Sequence, residues 1–187
     1  MIRGFSTNRL LITVDGVRLN NAIFRGGNVQ NVLSLNPFNV EKTEVILGSG
    51  SVIYGSDAIG GVMNFYTTTP KLSDSITPNM TARSTVRYAS ANNEKTAHLD
   101  FNVGFQKWAF HSSVSVSDFG DLKMGANGPD DYLSNHYSEY VNGQDIMVSN
   151  TTPRVQKFTN FRQMHLAQKV LYKANDDLKF DLGLHYS

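Results

Sequence analysis

From Met80 onward the chain alternates. In five successive runs most alternate residues are apolar and those between are mostly polar, small or charged. Met80, Ala82, Ser84, Val86 and Tyr88 oppose Thr81, Arg83, Thr85 and Arg87. Ala97, Leu99, Phe101, Val103 and Phe105 oppose His98, Asp100, Asn102 and Gly104. Trp108, Phe110, Val114 and Val116 oppose His111, Ser113, Ser115 and Ser117. Met164, Leu166, Val170 and Tyr172 oppose Gln163, His165 and Lys169, and Leu178, Phe180, Leu182, Leu184 and Tyr186 oppose Asp177, Lys179, Asp181, Gly183 and His185. A period of two belongs to a β-strand with one apolar face. This part of the chain is therefore expected to form antiparallel strands, and the fold must find an apolar environment for five such faces.

A soluble sandwich and a membrane barrel both meet that demand. Three details favour the barrel. The runs are about 10 to 12 residues long, against the roughly 9 to 11 that a tilted membrane strand needs. Aromatic residues gather near their ends, at Tyr88, Phe105, Trp108, Tyr172 and Tyr186, as in an interfacial girdle. The connections also alternate in length, Gln106-Lys107 and Asn175-Asp176 being tight and Asp118 to Gln156 long. Short turns at one rim and long loops at the other place the tight turns in the periplasm, with Ala91 to Asn93 and residues 118–156 outside. No apolar run approaches the roughly 18 to 20 residues of a spanning helix, so a membrane role rests on strands.

Before Met80 the pattern is different. Arg9 to Val14 is β-prone, Asp15-Gly16 is a two-residue hairpin signal, and Val17 to Leu19 returns. Asn20 to Asn31 is polar and glycine-bearing, with the chemistry of a loop. Pro37 suits the start of a short helical turn through Val40. Two further β-rich runs, Thr43 to Leu47 and Val62 to Thr67, flank a segment with glycine at 48, 50, 55, 60 and 61. That density predicts a tight turn with positive φ or close backbone approach. The spacing satisfies neither the dinucleotide fingerprint nor the phosphate loop.

The stretch Glu44 to Thr67, written E-V-x-x-G-x-x-S-x-x-Y-G-S-x-A-x-G-G-V-x-N-x-x-T, resembles the end of the plug domain of TonB-dependent outer-membrane receptors. Ile2-Arg3-Gly4-Phe5 and Leu10-Leu11-Ile12-Thr13-Val14-Asp15-Gly16-Val17 are similar to two earlier plug elements at the usual separation. The resemblance implies a mostly β chain. Residues 1–70 would be the C-terminal part of a plug, small and mixed α+β, and 71–79 a connector. Residues 80–187 would be the first five or so antiparallel strands of an incomplete transmembrane β-barrel, whose full form has roughly 22 strands around a plugged lumen. It also implies that the signal segment, the TonB box and the early plug precede this chain.

Function follows from the same resemblance. The family imports scarce ligands, a ferric siderophore, haem or a vitamin, across the outer membrane after TonB pulls on the plug. Arg3 would dock the plug on barrel carboxylates. Leu47 and Ser49 depart from the Arg and Pro often found there, which puts half of that pairing in question. Asn20, Asn21, Phe24, Arg25 and Asn28 lie in the loop that in the family rises to the plug apex, and are the candidate substrate-binding residues. Arg25, with Arg83 and Arg87 on the lumen side, would place cations along the path and favour an anionic iron chelate. The sequence lacks the plug variant of glycan importers.

Composition narrows the rest. The net charge is +1 and no basic cluster is interleaved with aromatics, which speaks against nucleic acid. The chain has 0 cysteines, removing disulfides, thiol nucleophiles and Cys-based metal sites. No cofactor, resident metal or enzyme activity is expected. The five histidines lack ligand spacing and read as solvated residues of a barrel interior. Asp121, Asp130 and Asp131, with Asn127 and Gly128 between, read as a solvated loop in preference to a Ca²⁺ clamp. The competing architecture is a soluble all-β binding or adhesion module, and what covers the apolar face decides between the two.

Overall fold

The computed structural model describes residues 10–19, 35–48, 50–55 and 58–187. Its first sheet has four strands. β1 (Leu10–Val14) turns at Asp15 and Gly16, both at positive φ, into the short β2 (Val17–Arg18). A 3-10 turn over Pro37–Asn39 leads into β3 (Val40–Leu47), then a short helix α1 (Ser51–Tyr54), then β4 (Gly61–Thr67). The order is β2-β1-β4-β3, with β1 and β4 parallel and the other pairs antiparallel. β3 begins at Val40, earlier than Thr43, because a bulge between Val40 and Lys42 extends its pairing with β4. The glycine-rich segment holds a helical turn as well as bends. Gly61, at φ +148, brings its backbone so close to β3 that a Cβ would sit 2.8 Å from the Ile46 carbonyl oxygen. Leu11, Ala58 and Val62, with Tyr54 against them, form the core of this unit.

The second sheet begins with β5 (Asn79–Ala89), β6 (Glu94–Gly104) and β7 (Trp108–Phe119). An excursion follows through β8 (Leu122–Lys123), β9 (His136–Val141), β10 (Gln144–Ser149) and β11 (Val155–Gln156). β12 (Phe161–Lys173) and β13 (Lys179–Tyr186) complete it. The five long strands are antiparallel in the order β13-β12-β7-β6-β5 and form an open arc.

The excursion is more ordered than a solvated loop. β9 and β10 form a hairpin that turns at Asn142 and Gly143, both at positive φ, the same turn chemistry as Asp15-Gly16. β8 and β11 pair at its base, where Asn150 Nδ2 donates to the carbonyls of Ser134 and Val155. Asp121 is spent as a cap, its Oδ1 accepting from the amides of Thr159 and Asn160. Asp130 and Asp131 open a 3-10 turn. Among the described residues no three acidic or histidine side chains gather to hold a metal.

Burial across the arc is inverted relative to a soluble sheet. Glu94, Thr96, His98, Asp100 and Asn102 of β6 are buried, while Leu99 and Phe101 are 47% and 44% exposed. On β7, His111, Ser113, Ser115 and Ser117 are buried and Val116 faces outward. A soluble module would cover the apolar face with a second sheet. Here the plug-like sheet packs on the polar face and the apolar face is left open, the arrangement of a wall between lipid and lumen. Aromatics frame that outer face, Trp108 stacking on Tyr172 at 4.2 Å and Phe119 on Phe161 at 4.4 Å.

Candidate functional site: the contact between plug and wall

β7 presents serine at 113, 115 and 117 to the inside, a furrow of small side chains that leaves room for an inserted turn. The Pro37–Asn39 turn fills it. Asn36 caps the turn, its Oδ1 accepting from the Phe38 amide at 3.2 Å, and Pro37 supplies the φ a first helical position needs. The Asn36 Nδ2 then donates to Ser115 Oγ at 2.9 Å.

From Ser115 a chain of polar groups runs back to the turn. Ser115 Oγ and His98 Nδ1 share a hydrogen bond of 2.6 Å, and His98 Nε2 lies 2.9 Å from Asp100 Oδ2. Arg83 donates through Nε to the same carboxylate oxygen at 2.8 Å and through a terminal nitrogen to the Phe38 carbonyl at 3.0 Å. With Asn36 donating into Ser115, the serine hydrogen is free for His98 Nδ1, which leaves the proton on Nε2 facing Asp100. The Phe38 ring stacks on His98 at 5.1 Å, and the Arg87 guanidinium lies 5.4 Å from its centroid.

A second contact lies at the β1–β2 turn. Asp15 accepts from the Thr67 amide at 2.8 Å and the Thr67 hydroxyl at 2.6 Å, and Lys169 of β12 brings Nζ to 3.0 Å from Asp15 Oδ2. Burial pushes the Asp15 carboxyl up, but the two Thr67 hydrogen bonds and the Lys169 ammonium outweigh it and hold it below the usual carboxylate value. Beyond Thr67, Asn102 and Lys71 bond reciprocally, Lys71 amide to Oδ1 at 2.8 Å and Nδ2 to the Lys71 carbonyl at 3.0 Å. The crossing is so close that a Cβ on Gly104 would sit 2.1 Å from the Lys71 carbonyl oxygen. Between the plug-like sheet and β12–β13 lies a cleft of about 750 Å³, with Asp15, Asn39, Thr67, His165 and Lys169 in its walls.

Several expectations change here. Arg83 and Arg87 do face inward and stay half-exposed, but each is paired, Arg83 with Asp100 and Arg87 with Glu94. His98, His111 and His165 are buried against the inner face and are not solvated. Ser115, His98 and Asp100 resemble a catalytic relay that the sequence spacing did not reveal. Ser115 is 1% exposed and its oxygen already accepts from Asn36, so no substrate reaches it. Arg3, Asn20, Asn21, Phe24, Arg25 and Asn28 lie outside the described residues. Leu47 is described and lies exposed at the end of β3.

Asp15, Phe38 and Lys169 carry contacts that the sequence reading did not assign. The sequence marks Asp15 as a turn residue. An inward lysine within an alternating strand was the available signal for its partner.

Comparison with known proteins places this arrangement. Residues 1–62 match the family model described as the TonB-dependent Receptor Plug Domain. The chain is 47% identical over 73 residues to the vitamin B12 transporter BtuB of Vibrio vulnificus strain CMCP6, an alignment covering 39% of this chain and 11% of that protein. It superposes on the copper transporter OprC with a TM-score of 0.68 at 18% identity, covering 99% of this chain and 24% of that one. On the siderophore receptor PirA from Acinetobacter baumannii the TM-score is 0.60 at 17% identity, covering 98% of this chain and 24% of that one. The chain thus spans a small part of the length of the proteins it matches. A plug sequence of the TonB-dependent receptors over residues 1–62, seated on the polar side of a wall whose apolar side looks outward, makes this chain similar in fold to a fragment of those receptors.

Proposed function

We propose that this chain is the late plug (1–70), connector (71–79) and first wall strands (80–187) of an active importer. Such a receptor binds a scarce ligand outside and releases it inward when TonB pulls on the plug. The observation that carries the reading is the inverted wall: polar residues of β6 and β7 are buried under the plug while Leu99 and Phe101 face outward. We further propose an iron-siderophore-type chelate as the ligand, held first by the loop of Asn20, Asn21, Phe24, Arg25 and Asn28. The siderophore receptors among the similar folds support that choice. The pairing of Arg83 and Arg87 withdraws the two wall cations from the argument and leaves Arg25 to carry it. A second reading, uptake of a vitamin B12-type chelate, is favoured by the plug identity to BtuB.

The test is a deletion of the full-length gene followed by uptake of ferric enterobactin and of cyanocobalamin. Loss of ferric enterobactin uptake, with induction of the gene by iron limitation, supports the first reading. Loss of cyanocobalamin uptake alone supports the second. Growth on a neutral oligosaccharide that requires the receptor, with both uptakes intact, would overturn both.

A further inference from the structure

On the outer face of the wall the apolar series lapses once in β7, where Ser112 stands between Phe110 and Val114, and once in β12, where Gln168 stands between Leu166 and Val170. The two lapses are 56 positions apart in the chain, yet the strand register makes them direct partners, and the Ser112 hydroxyl donates to Gln168 Oε1. One hydrogen of the Gln168 amide goes to the Lys169 carbonyl at 3.2 Å. An amide nitrogen carries two hydrogens and a hydroxyl oxygen can accept while it donates. Among the described residues the second Gln168 hydrogen and the Ser112 lone pairs have no partner. With a rise of about 3.3 Å per residue and a tilt of about 40°, the pair lies roughly 10 Å from the level of the Trp108 and Tyr172 rings and roughly 15 Å from that of Asp118 and Arg162, near the middle of an apolar band about 25 Å tall. A donor and an acceptor turned toward hydrocarbon at that depth are unfavourable unless something meets them.

We propose that Ser112 and Gln168 form the centre of a contact between two copies of the receptor lying side by side in the membrane. Lipid head groups do not reach that depth and acyl chains offer no hydrogen-bonding group there, so what meets the pair is a protein with a donor and an acceptor at the same level. A second copy meets that condition by construction, because all copies share one depth and one orientation in the bilayer. A twofold axis along the membrane normal brings Gln168 of each copy to Ser112 of the other, and each spare amide hydrogen then finds a hydroxyl oxygen. Around that centre the outward residues are apolar, Leu99 and Phe101 being 47% and 44% exposed, so the rest of the contact is hydrocarbon against hydrocarbon and the polar pair fixes its register. The contact uses the same patch twice and closes at two copies. It rests on the five-stranded sheet being a membrane wall and is independent of which ligand is imported.

The experiment uses the full-length receptor, labelled in separate batches with a donor and an acceptor dye, mixed, and reconstituted into phosphatidylcholine vesicles over a series of receptor densities. Energy transfer between the dyes reports association. The native receptor should show transfer above that of random mixing, with a defined half-maximal density. Gln168→Leu and Gln168→Met remove the spare amide and keep the face apolar, so both should fold, and each should raise the half-maximal density about tenfold. Met164→Leu, on the same face of β12, should leave it unchanged. Transfer no greater than random mixing in the native receptor, or a half-maximal density unmoved by both Gln168 variants, would overturn the paired contact while leaving the wall reading in place. Recovery of the full-length receptor in buffer without detergent would overturn the wall reading and the contact with it.

Discussion

Lys169 reaches inward from β12 to place its ammonium 3.0 Å from the Asp15 carboxylate, joining residues on two different sheets. Lys169 is 5% exposed, so the charge has few other partners there, though it also reaches the Thr67 carbonyl at 3.5 Å. Lys169→Met should therefore weaken plug docking by roughly 1 to 3 kcal/mol, below the cost of breaking a fully buried pair because Asp15 is partly hydrated. Adding Asp15→Asn to Lys169→Met should recover part of the loss. Urea unfolding of the purified full-length receptor, followed by a reporter on the plug, would measure both.

The same pair sets an acid limit. The folded Asp15 carboxyl is held below its ordinary value, so its contribution is complete at neutral pH and is lost as the pH falls through that lowered value. The loosening should begin below about pH 4, the ordinary aspartate value. A spin label at Val17→Cys should keep its mobility from pH 7 to 5 and become more mobile below pH 4. Asp15→Asn should flatten the transition.

Asp100 is the position where reading by faces alone misleads. Facing the lumen, it would be expected to tolerate asparagine; in the structure it accepts from Arg83 and contacts His98. Asp100→Asn should cost about 1 to 3 kcal/mol. On the lipid side, Leu99→Arg and Phe101→Arg should each cost roughly 2 to 4 kcal/mol. Unfolding of the three variants in detergent would compare them, and tolerance at Leu99 would show the strand register to be displaced by one residue.

Phe38→Ala removes a half-buried ring stacked on His98 and should cost about 1 to 2 kcal/mol of docking. Phe38→Tyr should retain most of it. Protection of the 36–47 segment from hydrogen exchange is the appropriate readout.

Asn150 anchors the base of the β9–β10 hairpin and is 4% exposed. Asn150→Ala leaves the Ser134 and Val155 carbonyls without its amide and should cost about 1 to 3 kcal/mol locally. Faster proteolysis within residues 118–160, with the wall intact, would show it.

Strand identity and facing were legible because a period of two survives any tertiary context that keeps one face apolar. Both two-residue turns rest on positive φ at Asx-Gly, yet only Asp15-Gly16 stands out in the sequence, since Asn142-Gly143 lies in a stretch of weak alternation. The helical turn α1 leaves no signature in the sequence because four residues are too few to show a helical period. The docking contacts were not legible at all. Asp15 and Lys169 lie 154 positions apart, and no local pattern tells a lysine that meets water inside a barrel from one that meets a plug carboxylate. Likewise, Asp100 and the buried histidines read as wet because a lumen is ordinarily wet, whereas here the plug-like sheet packs on that face and the Phe38 ring covers His98.

The strand order β2-β1-β4-β3 has a consequence for how the plug is made. β1 and β3 do not touch each other; each is paired along its length to β4, the last of the four to be synthesised. Beyond the short β1–β2 hairpin, β1 and β3 therefore have no strand to join them until Gly61 has emerged. Completion of this sheet is thus a late event with high contact order. A nascent chain awaiting Gly61 is thus a natural client for a holding chaperone, and a cut just before that residue would leave two strands with no common neighbour.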